Sequence, residues 1–168
     1  MRLIRLVLPA LMLLAAIPAA AQPANRVWAV ALPKNGDAVL RYAFLNSDDL
    51  ALGFMCTKGT GQIKVIAASP VRLNEPQDPD APRASPVIAS RPASITVISG
   101  AASATVPGRV GPDGEHGGSF LMTELSSASP VIQSFRKTGL LRVTALREAI
   151  DAPPTPKGML GAFLRYCK

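Results

Sequence analysis

The sequence predicts a mainly β domain with minor α content. It reads as an antiparallel β-sandwich or barrel-like sheet with a C-terminal helix tied on by one disulfide. Three observations carry that expectation. Apolar residues alternate with a period of two in run after run, as in half-buried strands. Proline and glycine, 16 and 13 of 168 residues, cut the chain into short segments suited to turns. The only cysteines, Cys56 and Cys167, stand 111 positions apart, the second at the end of a helical apolar stripe. A chain that is 48% hydrophobic and 17% charged is neither a disordered tail nor a small disulfide scaffold. Its length fits one domain. Aromatic residues are 5% of the chain, so the core rests on Val, Ile, Leu and Ala.

The first 21 residues read as a secretory signal peptide. Arg2 and Arg5 precede an apolar run over 6–17, and Pro18-Ala19-Ala20-Ala21 supplies the small side chains of a cleavage site. That run falls short of the roughly 20 residues that span a bilayer, so no transmembrane anchor is expected. No cysteine lies near the site to carry a lipid. The mature domain is then 22–168, periplasmic or secreted. Losing Arg2 and Arg5 lowers the formal charge from +7 to +5. The remaining cations are scattered along the chain, the densest spot being Arg136-Lys137. Nucleic-acid readers cluster their charge and add stacking aromatics, so no nucleic-acid partner is expected.

The mature chain opens with apolar runs over 27–32 and 38–45 around Pro33-Lys34-Asn35-Gly36-Asp37. Asn-Gly accepts the positive φ angles of a tight hairpin turn. Leu40, Tyr42 and Phe44 alternate on one face. After Asn46-Ser47-Asp48-Asp49, a second alternation sets Leu50, Leu52, Phe54 and Cys56 on one face. Gly59-Thr60-Gly61 turns the chain into a strand over 62–66, completing an antiparallel meander. Six prolines then fall within 69–92. Proline fixes φ and removes a donor, so this stretch reads as a long loop with room for a short strand at 71–73 or 86–89. Loops of this length are functional or mobile. Strands resume over 93–99, 102–106 and 120–125, the last after the Gly-rich cluster 111–118. Ser129-Pro130 reads as an N-cap with proline in the first helical position, and Gly139 as a C-cap. A strand over 140–146 and the stiff Asp151-Ala152-Pro153-Pro154-Thr155-Pro156 lead to the last helix. There Met159, Leu160, Phe163, Leu164 and Cys167 share a stripe.

In an oxidising compartment, an isolated cysteine pair is most simply a disulfide. Two free buried thiols are the alternative. The spacing excludes a CxxC redox motif, and a zinc site would need about four ligands with only His116 at hand. Closing so long a loop is worth up to about 4–5 kcal/mol.

The metal-site candidates are Asp113, Glu115 and His116, two carboxylates and the only imidazole within four residues. Asp-Gly is also a routine turn signal, and the cluster reads as a solvated hairpin tip. His116 is the only imidazole base for nucleophilic chemistry, but no serine lies in a Gly-x-Ser-x-Gly elbow. Asp48-Asp49 reads as a turn, since adjacent strand residues point to opposite faces and a glycosidase needs two carboxyls flanking a bond. Gly59-Thr60-Gly61 lacks the Lys-Ser/Thr of a phosphate loop. No catalytic residue and no cofactor is assigned.

The tryptophan soon after the leader, the Leu40-Arg41-Tyr42 strand and the stretch from Ser47 through Cys56 into Gly59-Thr60-Gly61 form a recognisable layout with the terminal cysteine. This layout resembles small exported proteins of alphaproteobacterial type, mostly uncharacterised. More distantly, over its architecture and the last third from Phe135 to Cys167, it is similar to the invasion-associated locus B family, which typically carries more cysteines. Neither resemblance carries a catalytic residue to this chain. Both imply a periplasmic binding or envelope-associated role. The function expected is therefore non-enzymatic binding, as an inhibitor of or accessory to an envelope protein, or attachment to an anionic envelope component. The Pro-rich loop 69–92 and the tip 111–118 are the expected contact regions, since loops carry recognition on rigid scaffolds. The alternative is a small hydrolase or metal-binding protein using His116 with Asp113 or Glu115.

Overall fold

The computed structural model describes residues 25–73 and 90–168. The leader expected over 1–21, and 74–89 of the Pro-rich stretch, lie outside the described residues. The meander is β1 (Arg26–Ala31), β2 (Asp37–Phe44), β3 (Leu50–Thr57) and β4 (Gln62–Ser69). It is followed by β5 (Arg91–Ser99), β6 (Ala102–Pro112), β7 (Ser119–Ser126) and α1 (Pro130–Thr138). A short hairpin, β8 (Arg142–Ala145) and β9 (Glu148–Asp151), precedes α2 (Lys157–Cys167). The described strands form one antiparallel sheet in the order β1-β2-β3-β4-β7-β6-β5-β8-β9. The sheet curls until β9 lies against β3 and β4, with Ser69 Oγ donating to Glu148 Oε2 at 3.5 Å. The expected barrel-like β domain, with a C-terminal helix tied to it by the Cys56–Cys167 bond, is the architecture observed. Among the described residues no helix is long and apolar enough to cross a membrane.

Alternation in each strand sends one set of side chains into the curl. Leu40, Leu52, Phe54, Ile63, Val65 and Leu121 are among those fully buried. Sheet curvature leaves an interior that strand side chains alone do not fill, and the helices fill it from one end. Val131, Ile132 and Phe135 of α1 and Leu160, Phe163, Leu164 and Cys167 of α2 are buried there. Phe54 sits at the junction, with its ring centroid 5.1 Å from Phe135, 6.3 Å from Trp28 and 6.4 Å from Phe163. Gly139 ends α1 in the left-handed conformation, φ 71°, its N–H donating to Phe135 O at 2.7 Å. A Cβ there would lie 2.9 Å from Thr155 O, so the residue that stops the helix also lets the approach to α2 pass close by. Ser129 precedes the helix as expected, but its hydroxyl makes no capping bond.

The antiparallel order fixes two ends. Turns 32–36, 58–61 and 100–101 lie with both helices at one end, the helical end. Turns 45–49, 113–118 and Leu146-Arg147 lie at the other, the loop end.

Four local expectations are corrected. Leu50 does not share a face with Leu52, Phe54 and Cys56. The register of β2 and β3 shifts between Tyr42 and Ala43, which pair with Leu52 and Leu50. The extra residue in β3, Ala51, returns Leu50 to the outer face, over Gly53. The Pro-rich loop is shorter than 69–92, because β4 runs through Ser69 and β5 starts at Arg91; 71–73 is not a strand. Pro92 is tolerated because β8 pairs with β5 only over Thr96, Val97 and Ile98. β6 runs through Pro107 to Pro112; pairing with β7 begins just past Pro107, at Gly108 opposite Thr123. The run 140–146 is a strand only over Arg142–Ala145, and it returns as β9 through a two-residue turn.

That turn places Leu146 at φ 50° and Arg147 at φ 76°. These are the paired positive angles of a type I′ hairpin, which Asn-Gly adopts cheaply and other L-residues adopt at a cost of about 1–2 kcal/mol each. Arg147→Gly is expected to raise the unfolding free energy by about 1 kcal/mol, read as a higher urea midpoint at unchanged m-value. An unchanged midpoint would show that the turn is not strained.

Candidate functional site

The sequence candidates lie on the β6–β7 hairpin tip at the loop end. Asp113 organises it. Its N–H donates to Gly118 O at 3.0 Å, and its carbonyl accepts from Gly117 N–H at 3.0 Å. Its Oδ1 accepts the backbone N–H groups of Glu115 and His116 at 3.1 and 3.0 Å. Asp-Gly chemistry explains the geometry, since an aspartate side chain folds a turn back onto its own carboxylate. His116 Nδ1 stands 3.3 Å from both Asp113 carboxylate oxygens. Asp113 is 7% exposed, while the His116 side chain is 39% exposed. Glu115 joins the cluster through its backbone. The structure thus brings Asp113 and His116 together, with Glu115 contributing an N–H. Among the described residues no group of three or more His, Cys, Asp and Glu side chains gathers as a metal site would.

Burial alone would push the Asp113 carboxyl up. The backbone N–H groups of His116 and Glu115, then the charge and ring N–H of His116, outweigh it and hold the group below its ordinary value of 3.8. A carboxyl depressed in the folded state stabilises the fold fully above its unfolded value, and loses that contribution as pH falls through the folded one. Asp113→Ala is therefore expected to flatten the loss of stability seen as pH drops below 3.8, measured as urea midpoints along an acid series. An identical acid limb in the variant would contradict this account of the tip.

The tip is clamped from the side. Arg72 Nε donates to Gly117 O at 3.1 Å. Leu73 N–H donates to the buried Ser119 Oγ at 2.8 Å, and the Arg91 guanidinium donates to Leu73 O. Gly118 runs so close to β4 that a Cβ would fall 2.0 Å from Ser69 O. Both described ends of the Pro-rich stretch, 70–73 and 90–91, are therefore held beside the tip at the loop end.

The remaining candidates serve the fold. Asp49 pairs with Arg26 at 3.2 Å, and its N–H donates to Ser47 Oγ at 3.0 Å. Gly59 and Gly61 take φ 73° and 67°, aiming their N–H groups at Tyr166 O (3.3 Å) and Cys167 O (2.8 Å). The glycine turn thus receives the last carbonyls of α2, which have no partner inside the helix. Cys56 and Cys167, Cα atoms 5.6 Å apart, lock the same junction from inside the core. In the sequence the glycines show only as a turn; their second role depends on where α2 ends.

Against known proteins, no family model, curated protein or solved structure matches the chain.

Proposed function

We propose that this chain is an exported, non-enzymatic binding protein of the cell envelope. It acts as an inhibitor of or accessory to another envelope protein, or on an anionic envelope component. The observation that carries the reading is the use made of Asp113. Its Oδ1 is taken by two N–H groups of its own turn, so the carboxylate that resembles catalytic equipment is the group that folds the tip. That tip and the clamped segment 70–73 form a fixed, loop-built surface of the kind that recognises partners. The buried Cys56–Cys167 bond supports export, because disulfides persist in oxidising compartments, and the leader-like N-terminus agrees.

One contact favours a second reading, a small hydrolase or metal-binding protein. His116 Nδ1 against the Asp113 carboxylate is the orientation in which a carboxylate steadies an imidazole for proton transfer. A single experiment separates the two. The oxidised chain from Gln22 onward is immobilised and presented with detergent-solubilised envelope from its own cells, beside His116→Ala. Binding predicts saturable retention of one component by both proteins. Ester, peptide or glycoside hydrolysis, or stoichiometric divalent-metal binding, that vanishes in His116→Ala would overturn the binding reading. So would the absence of any retained component.

A further inference from the structure

The two ends of the curled sheet differ in charge. At the loop end lie Asp48, Asp49, Asp113, Glu115 and Glu148. Arg26, Arg72, Arg91, Arg109 and Arg147 share that end, so its described residues are close to neutral. The helical end is different. It carries exposed Lys34 and Lys58 on two turns, Arg136 and Lys137 in the last turn of α1, Lys157 opening α2 and Lys168 after it. Arg165 is also exposed on α2. The carboxylates described there are few. Asp37 accepts from Thr57 Oγ1 at 2.6 Å, Asp151 is held by Arg142 at 2.7 and 2.9 Å, and Glu124 lies opposite Lys64 across the β4–β7 pair.

Contacts make this a continuous surface. Tyr166 OH donates to Gly36 O at 2.8 Å, drawing the Lys34 turn onto α2. Lys58 Nζ lies 5.8 Å from the Tyr166 ring. Thr155 N–H donates to Gly139 O at 2.8 Å, bringing the start of α2 to the end of α1. Among these cations two leucines stand out into solvent, Leu32 at 42% and Leu140 at 47% exposure.

We propose that the helical end docks on an anionic bilayer surface. Lysine and arginine lie among the phosphate headgroups, while Leu32 and Leu140 enter the interface. Cations and exposed apolar side chains sharing one end suit a surface that is charged outside and apolar beneath. A nucleic acid would want free aromatic faces to stack on, whereas Tyr166 has its hydroxyl and ring engaged by Gly36 and Lys58. The proposal rests on the binding reading above and names its membrane partner. It leaves the loop end turned away from the lipid, free for a protein.

The test is co-sedimentation of the oxidised mature chain with vesicles of phosphatidylglycerol mixed equally with phosphatidylcholine, against phosphatidylcholine alone. Binding to the anionic vesicles only, falling with added salt, is expected. Lys58→Gln with Lys157→Gln is expected to weaken it by about fivefold per cation removed. Arg41→Gln with Arg147→Gln, matched in charge but away from this end, is expected to leave it unchanged. Leu32→Ser with Leu140→Ser weakens binding while keeping its salt dependence. Thermal melts of each variant check folding. The inference is overturned by absence of vesicle binding, by equal loss in the two charge variants, or by preference for duplex DNA over vesicles. Retention of an envelope protein with no vesicle binding would sink this inference alone and leave the binding reading standing.

Discussion

Replacing both cysteines, Cys56→Ala with Cys167→Ala, is expected to lower the unfolding free energy by about 4 kcal/mol. The bond closes 111 residues of chain, and a loop of that size owes its effect chiefly to the conformations it denies the unfolded chain. The folded state has its own reason to need the link. α2 is 11 residues long, starts after Pro156 with no side-chain cap, and is shorter than the length at which isolated helices persist in water. It is held to the sheet by the buried face Leu160, Phe163 and Leu164, the two glycine N–H groups at its end, the Tyr166 hydroxyl on Gly36 O, and the disulfide. Urea unfolding of the double variant, beside reduced wild type, reads the loss. A shift below about 1 kcal/mol in both would mean that α2 is secured without the bond.

Phe54→Ala is expected to cost about 3–5 kcal/mol, the range for emptying a buried aromatic site. The ring is fully buried and meets partners from β1, α1 and α2. Those contacts are worth more than the buried area alone. Removing it leaves a void where sheet and helices meet, and three different elements would have to move together to fill it. The near-ultraviolet signal of Trp28, the only tryptophan, is expected to fall as its packing loosens. A loss near 1 kcal/mol, typical of an ordinary point substitution, would show that the helices do not depend on this junction.

The sequence made most of the strands legible because one face of each is buried and the other is not. Leu52, Phe54 and Cys56 alternate as cleanly in the fold as in the text; the chain turns at Asn35-Gly36 as expected, but through a five-residue connection in which Gly36 and not Asn35 takes a positive φ. The α2 stripe from Met159 to Cys167 lands on the core with its spacing intact. What stayed hidden depends on neighbours. β9 was invisible because Leu146-Arg147 carries none of the glycine or asparagine that marks a tight turn, and the fold imposes the positive angles on ordinary residues. Pro92 argued against a strand, yet it and Pro107 each lie where one side of the strand has no partner to bond. Leu50 changed face through a bulge that only pairing with β2 reveals. The candidate tip was half legible: the Asp-Gly turn could be read, but its clamping by Arg72 and Ser69 could not. The basic end was not legible at all. Its cations come from turns and helices far apart in the chain and meet only once the sheet curls around α1 and α2.

We propose that the chain works outside the reducing cytoplasm, freed of residues 1–21 and stapled by Cys56 and Cys167. The most direct test is the intact mass of the protein recovered from its own cells under alkylating conditions. The expected result is a chain beginning at Gln22 with both cysteines refractory to the alkylating reagent until reduced. A chain that retains Met1 and carries two alkylated thiols would contradict it.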